Sequence, residues 1–192
     1  MADFDPLKAL IKSNTQMKIA LALFESSGMG GKTEALVRDA LRAANKKVNA
    51  SYPIAQAHMK RSIDRKGNIT HGSNSKIAKA IMASKELKAL FKRQKGSVCM
   101  ARTKILFSNN RDLARTLYEA TLMGDLNVDG KDYVFNGMIT DVYDFRFDLI
   151  PKKNTVKGWL LRYAGNAAYL AQEMKLMKKY KITVMLDGKV KK

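Results

Sequence analysis

The sequence predicts an α+β protein, with helices in its first half and a β-rich second half. Apolar residues recur at helical spacing over much of residues 7–93, and β-forming residues become frequent after Gly96. Asp129-Gly130 adds a hairpin signal to the second half. We therefore expect a helical bundle over residues 1–96. A β-rich domain over 97–192 should follow, built as an antiparallel sheet or half-barrel with one or two helices.

The helices of the first half are placed by the spacing of their apolar residues. This spacing predicts helices at residues 7–25, 33–47, 54–63 and 76–93. Pro6 occupies a first-turn position where proline is tolerated, and Ser75 is a suitable N-cap for the fourth helix. Loops rich in Gly, Ser and Asn separate these segments, as expected where helices end.

The second half alternates strands with two helices. Strands are predicted at residues 98–107, 132–140, 142–150 and 180–186. Helices are predicted at 111–123 and 156–177, and loops at 124–131 and 151–154. No internal repeat or low-complexity linker interrupts this order.

The chain is strongly basic and of globular composition. Its 192 residues are 46% hydrophobic and include 36 Lys and Arg against 17 Asp and Glu, a net charge of +19. Such a charge attracts nucleic acid, anionic membranes or phosphate-bearing lipids without choosing among them, and it also favours solubility. No apolar run approaches the ~20 residues that span a bilayer. The acidic start lacks the basic region of a signal peptide, so we expect delivery by a non-Sec route.

Three isolated features are interpreted as structural. Cys99 is the single cysteine, which excludes an internal disulfide, and its apolar neighbours predict that it is buried. His58 and His71 lack the spacing of a zinc site. Residues 28–33 resemble a phosphate loop, but Ser26 stands where the first glycine is required, so we expect a turn between helices there.

Asp141–Asp148 is the richest concentration of chemically usable groups, with three carboxylates, an arginine and a tyrosine. A regular strand through Val142 would make much of it a solvent-exposed strand face of little energetic importance. However, Asp141 would then share a face with apolar residues, where a carboxylate is costly unless it is paired or bound to a metal. A bulge at Val142 would bring Asp141, Tyr143 and Asp144 together, and bulges are frequent beside active sites.

The Asp141-x-Tyr143-Asp144 motif resembles the catalytic motif of colicin M-type bacteriocins. In that family it lies on a β-rich C-terminal domain that ends in a strand of the Tyr-x-Ile kind before a glycine, similar to Tyr180-Lys181-Ile182 and Gly188 here. The resemblance covers about residues 130–190. It implies a Mg²⁺-dependent phosphoesterase that cuts the cell-wall precursor lipid II between undecaprenyl and pyrophosphate in the periplasm.

The sequence departs from this family at one pair of residues. The family carries a His-Arg pair six to seven residues after its second aspartate, where this chain has Ile150 and Pro151. If the chemistry is retained, another cation must complete the site, and His71 would have to contribute from the helical half. The candidate cations are Arg146, Lys152, Lys153 and Arg162.

The leading hypothesis is therefore an antibacterial toxin that takes part in competition between bacteria. Asp141 and Asp144 would bind Mg²⁺ or activate water, Tyr143 would orient them or bind a phosphate oxygen, and Arg146 would stabilise developing charge. Lys152, Lys153, Arg162 and His71 would bind the phosphates of the lipid-linked substrate. An immunity protein and peripheral membrane contact are the expected partners.

Two alternatives stay open. The chain could be a basic, non-enzymatic protein that binds nucleic acid or anionic membranes, with the acidic strand as surface. It could instead be a nuclease-type toxin, although we recognise no nuclease motif and no nucleic-acid-binding signature.

Overall fold

The computed structural model describes residues 31–94, 96–145, 168–169, 171–173 and 175–192. It confirms the α+β class. The helices are α1 (Gly31–Val48), α2 (Pro53–Ile63), α3 (Lys76–Met82), α4 (Lys85–Lys92) and α5 (Arg111–Thr116). The strands are β1 (Ile69–His71), β2 (Val98–Leu106), β3 (Glu119–Asp129), β4 (Asp132–Tyr143) and β5 (Tyr180–Lys191). None of the helices in the described parts of the chain is long and apolar enough to cross a bilayer.

The chain divides into two compact units. The first unit comprises the described parts of Met1–Ser51, Met59–Lys66 and Asp144–Lys179. The second unit comprises the described parts of Tyr52–His58, Gly67–Tyr143 and Tyr180–Lys192. The domain boundary at residue 96 that the sequence suggests stays a prediction.

A five-stranded mixed sheet forms the second unit, in the order β1-β5-β4-β3-β2. β1 runs parallel to β5, and the other neighbours are antiparallel. β3, β4 and β5 each bury residues on one face, including Phe135 and Ile139 of β4. α3 contacts β5 and α4 contacts β2. The ring of Phe91 in α4 lies 5.1 Å from that of Phe135, so the helices and this face share one apolar core.

Two glycines allow β3 and β4 to approach closely. Gly124 and Gly137 are directly opposed, and Gly124 has a φ of 150°. A Cβ added to Gly124 would meet the carbonyl oxygen of Asn136, and one added to Gly137 would meet that of Met123. The ring of Phe135 would lie 2.8–2.9 Å from either added Cβ, so it occupies the space that these glycines leave open.

The first unit has a small apolar cluster of its own. Its buried members are Leu41, Ala44, Ile63, Ala168, Ala171, Leu176 and Met177, with Met59 and Phe145 packed against them. Asp64 forms ion pairs with Arg42 at 3.0 Å and with Lys60 at 2.6 Å. These contacts hold the pKa of Asp64 below its usual range, the Lys60 hydrogen bond most strongly.

Several predicted elements were wrong in extent or type. Residues 119–129 form a strand, not the end of a helix and a loop. Residues 69–71, predicted as loop, form a strand. The helix predicted over 76–93 is two helices, because Ser84 acts as a second N-cap whose side chain accepts from the N–H of Leu87. Cys99, predicted to be buried, is exposed on β2.

Other predictions fall on residues beyond the described ones. These are the helix at 7–25, the turn at 28–30, the strand continuation at 146–150, the loop at 151–154 and most of the helix at 156–177.

Candidate active site

Asp141 lies near the end of β4, on the core-facing side of the sheet. It is opposite Ile182 of β5 and shares its face with Ile139 and Tyr143. The residue is half-buried, and its Oδ1 accepts a hydrogen bond from the N–H of Val142 at 2.8 Å. The sequence placed Asp141 on this face correctly. The β4–β5 ladder continues without a register shift through Val142 to Tyr143, so β4 has no bulge there.

Tyr143 ends β4 and faces Tyr180, the first residue of β5. The two side chains are buried, with ring centroids 5.3 Å apart. Burial raises the pKa of Tyr143 strongly, Tyr180 raises it further, and the positive charge of Arg115 opposes the shift. Tyr143 is therefore a neutral phenol over the physiological range. It can donate a hydrogen bond, but it cannot act as a phenolate base or nucleophile.

Both histidines of the chain join these tyrosines in the second unit. The ring of His58 lies 5.2 Å from that of His71, 6.0 Å from that of Tyr143 and 6.0 Å from that of Tyr180. His71 pairs with Val184 of β5, which in turn pairs with Ile139 of β4. Since paired residues point to the same side of a sheet, His71 lies on the face that carries Asp141 and Tyr143. The sheet thus gathers a carboxylate, two imidazoles and two phenols on one face.

Three residues near Tyr143 were not identified as candidate site residues from the sequence. His58 was considered only as a zinc ligand, Tyr180 only as a strand residue, and Arg115 not at all. Arg115 lies with its guanidinium 4.4 Å from the ring centre of Tyr52, and its charge acts on Tyr143. No local signal reveals these placements, because His58 and Tyr180 are separated by 122 positions. The one available signal was the presence of His58 in a helix, which could have suggested a role for this histidine in the cluster.

The other predicted site residues are not brought to this cluster by the described structure. Asp144 follows the last residue of β4, is exposed, and belongs to the first unit. Arg146, Lys152, Lys153 and Arg162 lie outside the described residues. The pairing of Asp141 with Asp144, and the cation that would complete it, therefore stay predictions.

Asp141 and Asp144 are suitable magnesium ligands by donor type. Mg²⁺ is commonly held by one or two carboxylates, waters and substrate phosphates. Within the described ranges, no group of three or more His, Cys, Asp or Glu side chains could hold a metal ion. A magnesium site at Asp141 and Asp144 therefore stays a prediction.

Comparisons with known proteins give one weak structural relationship. No protein-family model matches the sequence, and no curated protein does. The structure is similar to that of PaeM, a colicin M-like bacteriocin produced by Pseudomonas aeruginosa, with 17% identity and a TM-score of 0.31. The match covers 72% of this chain and 51% of that one, so the chain spans about half the length of PaeM. A likeness at this level does not identify a function.

Proposed function

We propose that the chain is an antibacterial toxin of the colicin M kind. Its substrate would be lipid II, hydrolysed between undecaprenyl and pyrophosphate in the periplasm of a target cell. The observation that supports this most is the position of Asp141. Asp141 is half-buried on the core face of the sheet, two residues from the buried Tyr143 in the same strand. In this position its carboxylate can serve as a general base or as a magnesium ligand.

The residues have distinct roles in this proposal. Asp141 accepts a proton from the attacking water or binds Mg²⁺ together with Asp144. When bound, Mg²⁺ supplies positive charge that stabilises the phosphate oxygens. Tyr143, held neutral by burial, donates a hydrogen bond and stays protonated throughout.

His71 would supply an imidazole in place of the family's histidine, which this chain lacks at Ile150. It is half-buried on the same face of the sheet as Asp141. Arg146, Lys152, Lys153 and Arg162 remain the proposed cations for the pyrophosphate. The net charge of +19 would concentrate an anionic lipid-linked substrate near the protein. A producing cell would need an immunity protein.

The test is cleavage of purified lipid II in the presence of Mg²⁺, followed by detection of undecaprenol. Asp141→Asn should abolish cleavage, since it removes the charge and keeps the shape. Asp187→Asn is the matched control, because Asp187 lies exposed on β5 and gives the same charge change. Full activity of Asp141→Asn, or no undecaprenol from the unaltered chain, would contradict the proposal.

One observation favours a second candidate, a basic protein that binds polyanions without catalysis. The ladder is regular through Val142, and Asp144 is exposed, as expected if the acidic strand end is only surface. This candidate predicts salt-dependent binding to nucleic acid or anionic vesicles that Asp141→Asn leaves unchanged. Expression in the two compartments separates the candidates further. Lysis only on periplasmic expression supports the cell-wall target, whereas killing from the cytoplasm supports a nucleic-acid target.

A further inference from the structure

His58 and Tyr180 make two polar contacts with each other at once. Nδ1 of His58 lies 2.7 Å from the hydroxyl oxygen of Tyr180. The same hydroxyl lies 3.0 Å from the backbone carbonyl oxygen of His58. Both residues are buried, with exposed fractions of 4% and 3%. The hydrogen positions of this pair are therefore determined within the protein rather than by water.

Only one arrangement of hydrogens satisfies both contacts. A tyrosine hydroxyl has one hydrogen to donate, and a carbonyl oxygen can only accept. The phenol of Tyr180 therefore donates to the carbonyl of His58 and accepts from the N–H at Nδ1. In the neutral imidazole, the second nitrogen then has no hydrogen and is an acceptor. Tyr180 thus fixes the tautomer of His58 as Nδ1–H.

The ring of His58 is also fixed in orientation. It lies nearly parallel to the ring of Tyr180, with 9° between the planes and 6.0 Å between the ring centroids. The ring of His71 meets it edge to face, at 61° and 5.2 Å between centroids. His71 is half-buried, whereas His58 is almost fully enclosed. His58 can therefore act on a substrate only through the residues packed against it. His71, whose Nε2 is buried, is one of these residues.

We propose that His58 is a positioning residue, held by Tyr180 as the Nδ1–H tautomer, that fixes the orientation of the His71 imidazole at the candidate site. This inference rests on the proposed function for the identity of the substrate. The tautomer of His58 follows from the contacts alone and can be tested without any activity.

The first measurement is nitrogen NMR of the intact chain with ¹⁵N-labelled histidine, in the neutral form of the ring. We expect His58 to carry its hydrogen on Nδ1. Tyr180→Phe should remove the hydrogen bond that fixes the tautomer and so change the nitrogen spectrum of His58. Tyr133→Phe is the control, because Tyr133 is also a buried tyrosine on this face of the sheet, near its other end. A hydrogen on Nε2 in the unaltered chain would overturn the assignment.

The second measurement is lipid II cleavage by Tyr180→Phe and His58→Asn. The amide of asparagine can keep a donor near the position of Nδ1, so His58→Asn should retain the hydrogen bond to Tyr180 and the fold. We expect kcat to fall about tenfold in both variants with KM little changed, as for loss of one positioning hydrogen bond or ring contact. Unchanged kcat in both variants would overturn the positioning role. An unaltered chain that cleaves nothing would overturn the proposed function, while the nitrogen spectra alone decide the tautomer.

Discussion

Asp112 and Ala55 are joined by a hydrogen bond of 2.7 Å, from the backbone N–H of Ala55 to Oδ1 of the aspartate. The N–H of Ile54 donates to Oδ2 of the same carboxylate at 3.1 Å. Asp112 on α5 therefore caps the first turn of α2, where Pro53 has no N–H to satisfy. His58 lies one turn further along, so the cap also helps to hold the histidine in place.

Replacing Asp112 by Ala should lower the free energy of unfolding by about 1–2 kcal/mol. The backbone N–H groups of Ile54 and Ala55 would lose their acceptor, and the negative charge would no longer interact with the dipole of α2. The measurement is urea unfolding of Asp112→Ala beside Asp187→Ala, which removes an exposed carboxylate. Equal stabilities of the two variants would show that Asp112 does not act as the cap.

Glu86 should make stability depend on pH. Burial acts to raise its pKa and is the largest single influence, but hydrogen bonds from the N–H groups of Asn109 and Ser108 together hold the pKa below its usual range. A lowered folded-state pKa stabilises the protein above the unfolded-state value of about 4.3, and this contribution is lost as the pH falls through the folded-state pKa.

Glu86→Gln should therefore reduce the free energy of unfolding by about 1–3 kcal/mol at pH 7, with a difference that shrinks below about pH 4. Unfolding of both proteins across this range checks the expectation. Glu119→Gln, at an exposed ion pair with Lys104, should change little at either pH. A difference for Glu86→Gln that persists unchanged into acid would contradict the role of its charge.

Gly137→Ala should destabilise the sheet by about 1–3 kcal/mol, because the added methyl group meets backbone atoms of β3 that cannot move aside easily. A loss of this size corresponds to roughly 2–4 °C in Tm for each kcal/mol. Gly72→Ala is the control, since a Cβ at Gly72 meets nothing within 4 Å. Thermal unfolding of both variants measures the difference, and equal Tm values would contradict the close approach of β3 and β4.

The sequence predicts α1, α2 and the strands β2, β4 and β5 approximately in place, whereas it misses the edge strand β1 and the strand β3. α1 and α2 agree within a few residues with the expected helices at 33–47 and 54–63, because local apolar spacing determines them. β3 was missed because Gly124, Asp125 and Asn127 are poor strand formers. β2 and β4 pair with it on both sides, and this tertiary pairing outweighs local preference.

The residues of the candidate site likewise differ in whether a local sequence pattern predicts where they lie. The alternation of one strand predicts that Asp141 and Tyr143 share a face, as they do in β4, and their role in a site stays a prediction. Their neighbours could not be predicted, because His58 reaches Tyr180 across 122 positions and β1 joins β5 from the predicted loop. Residues that meet through the topology of a sheet leave no mark in the local pattern.

If the chain has the proposed activity, Tyr143→Phe should lower lipid II cleavage by about tenfold, the value expected for one lost hydrogen bond. Because burial keeps the phenol protonated, the loss should be the same at every pH between about 5 and 9. Parallel curves of kcat/KM against pH for the two proteins would agree with this role. A loss that disappears at high pH would mean that Tyr143 ionises during the reaction.

Cys99 should react slowly with thiol reagents although it is exposed. It is directly opposite Asp125 in the β2–β3 ladder, and a hydrogen bond with that carboxylate, together with its negative charge, raises the pKa of the thiol. The thiolate is the reactive form, so a raised pKa lowers the rate at neutral pH.

Asp125→Asn should therefore speed alkylation by iodoacetamide at about pH 7.5 several-fold. Asp187→Asn, the same change in net charge on an exposed residue of β5, should leave the rate close to that of the unaltered chain. Equal rates in all three proteins would mean that Asp125 does not control the thiol, and the exposure of Cys99 alone would then set its reactivity.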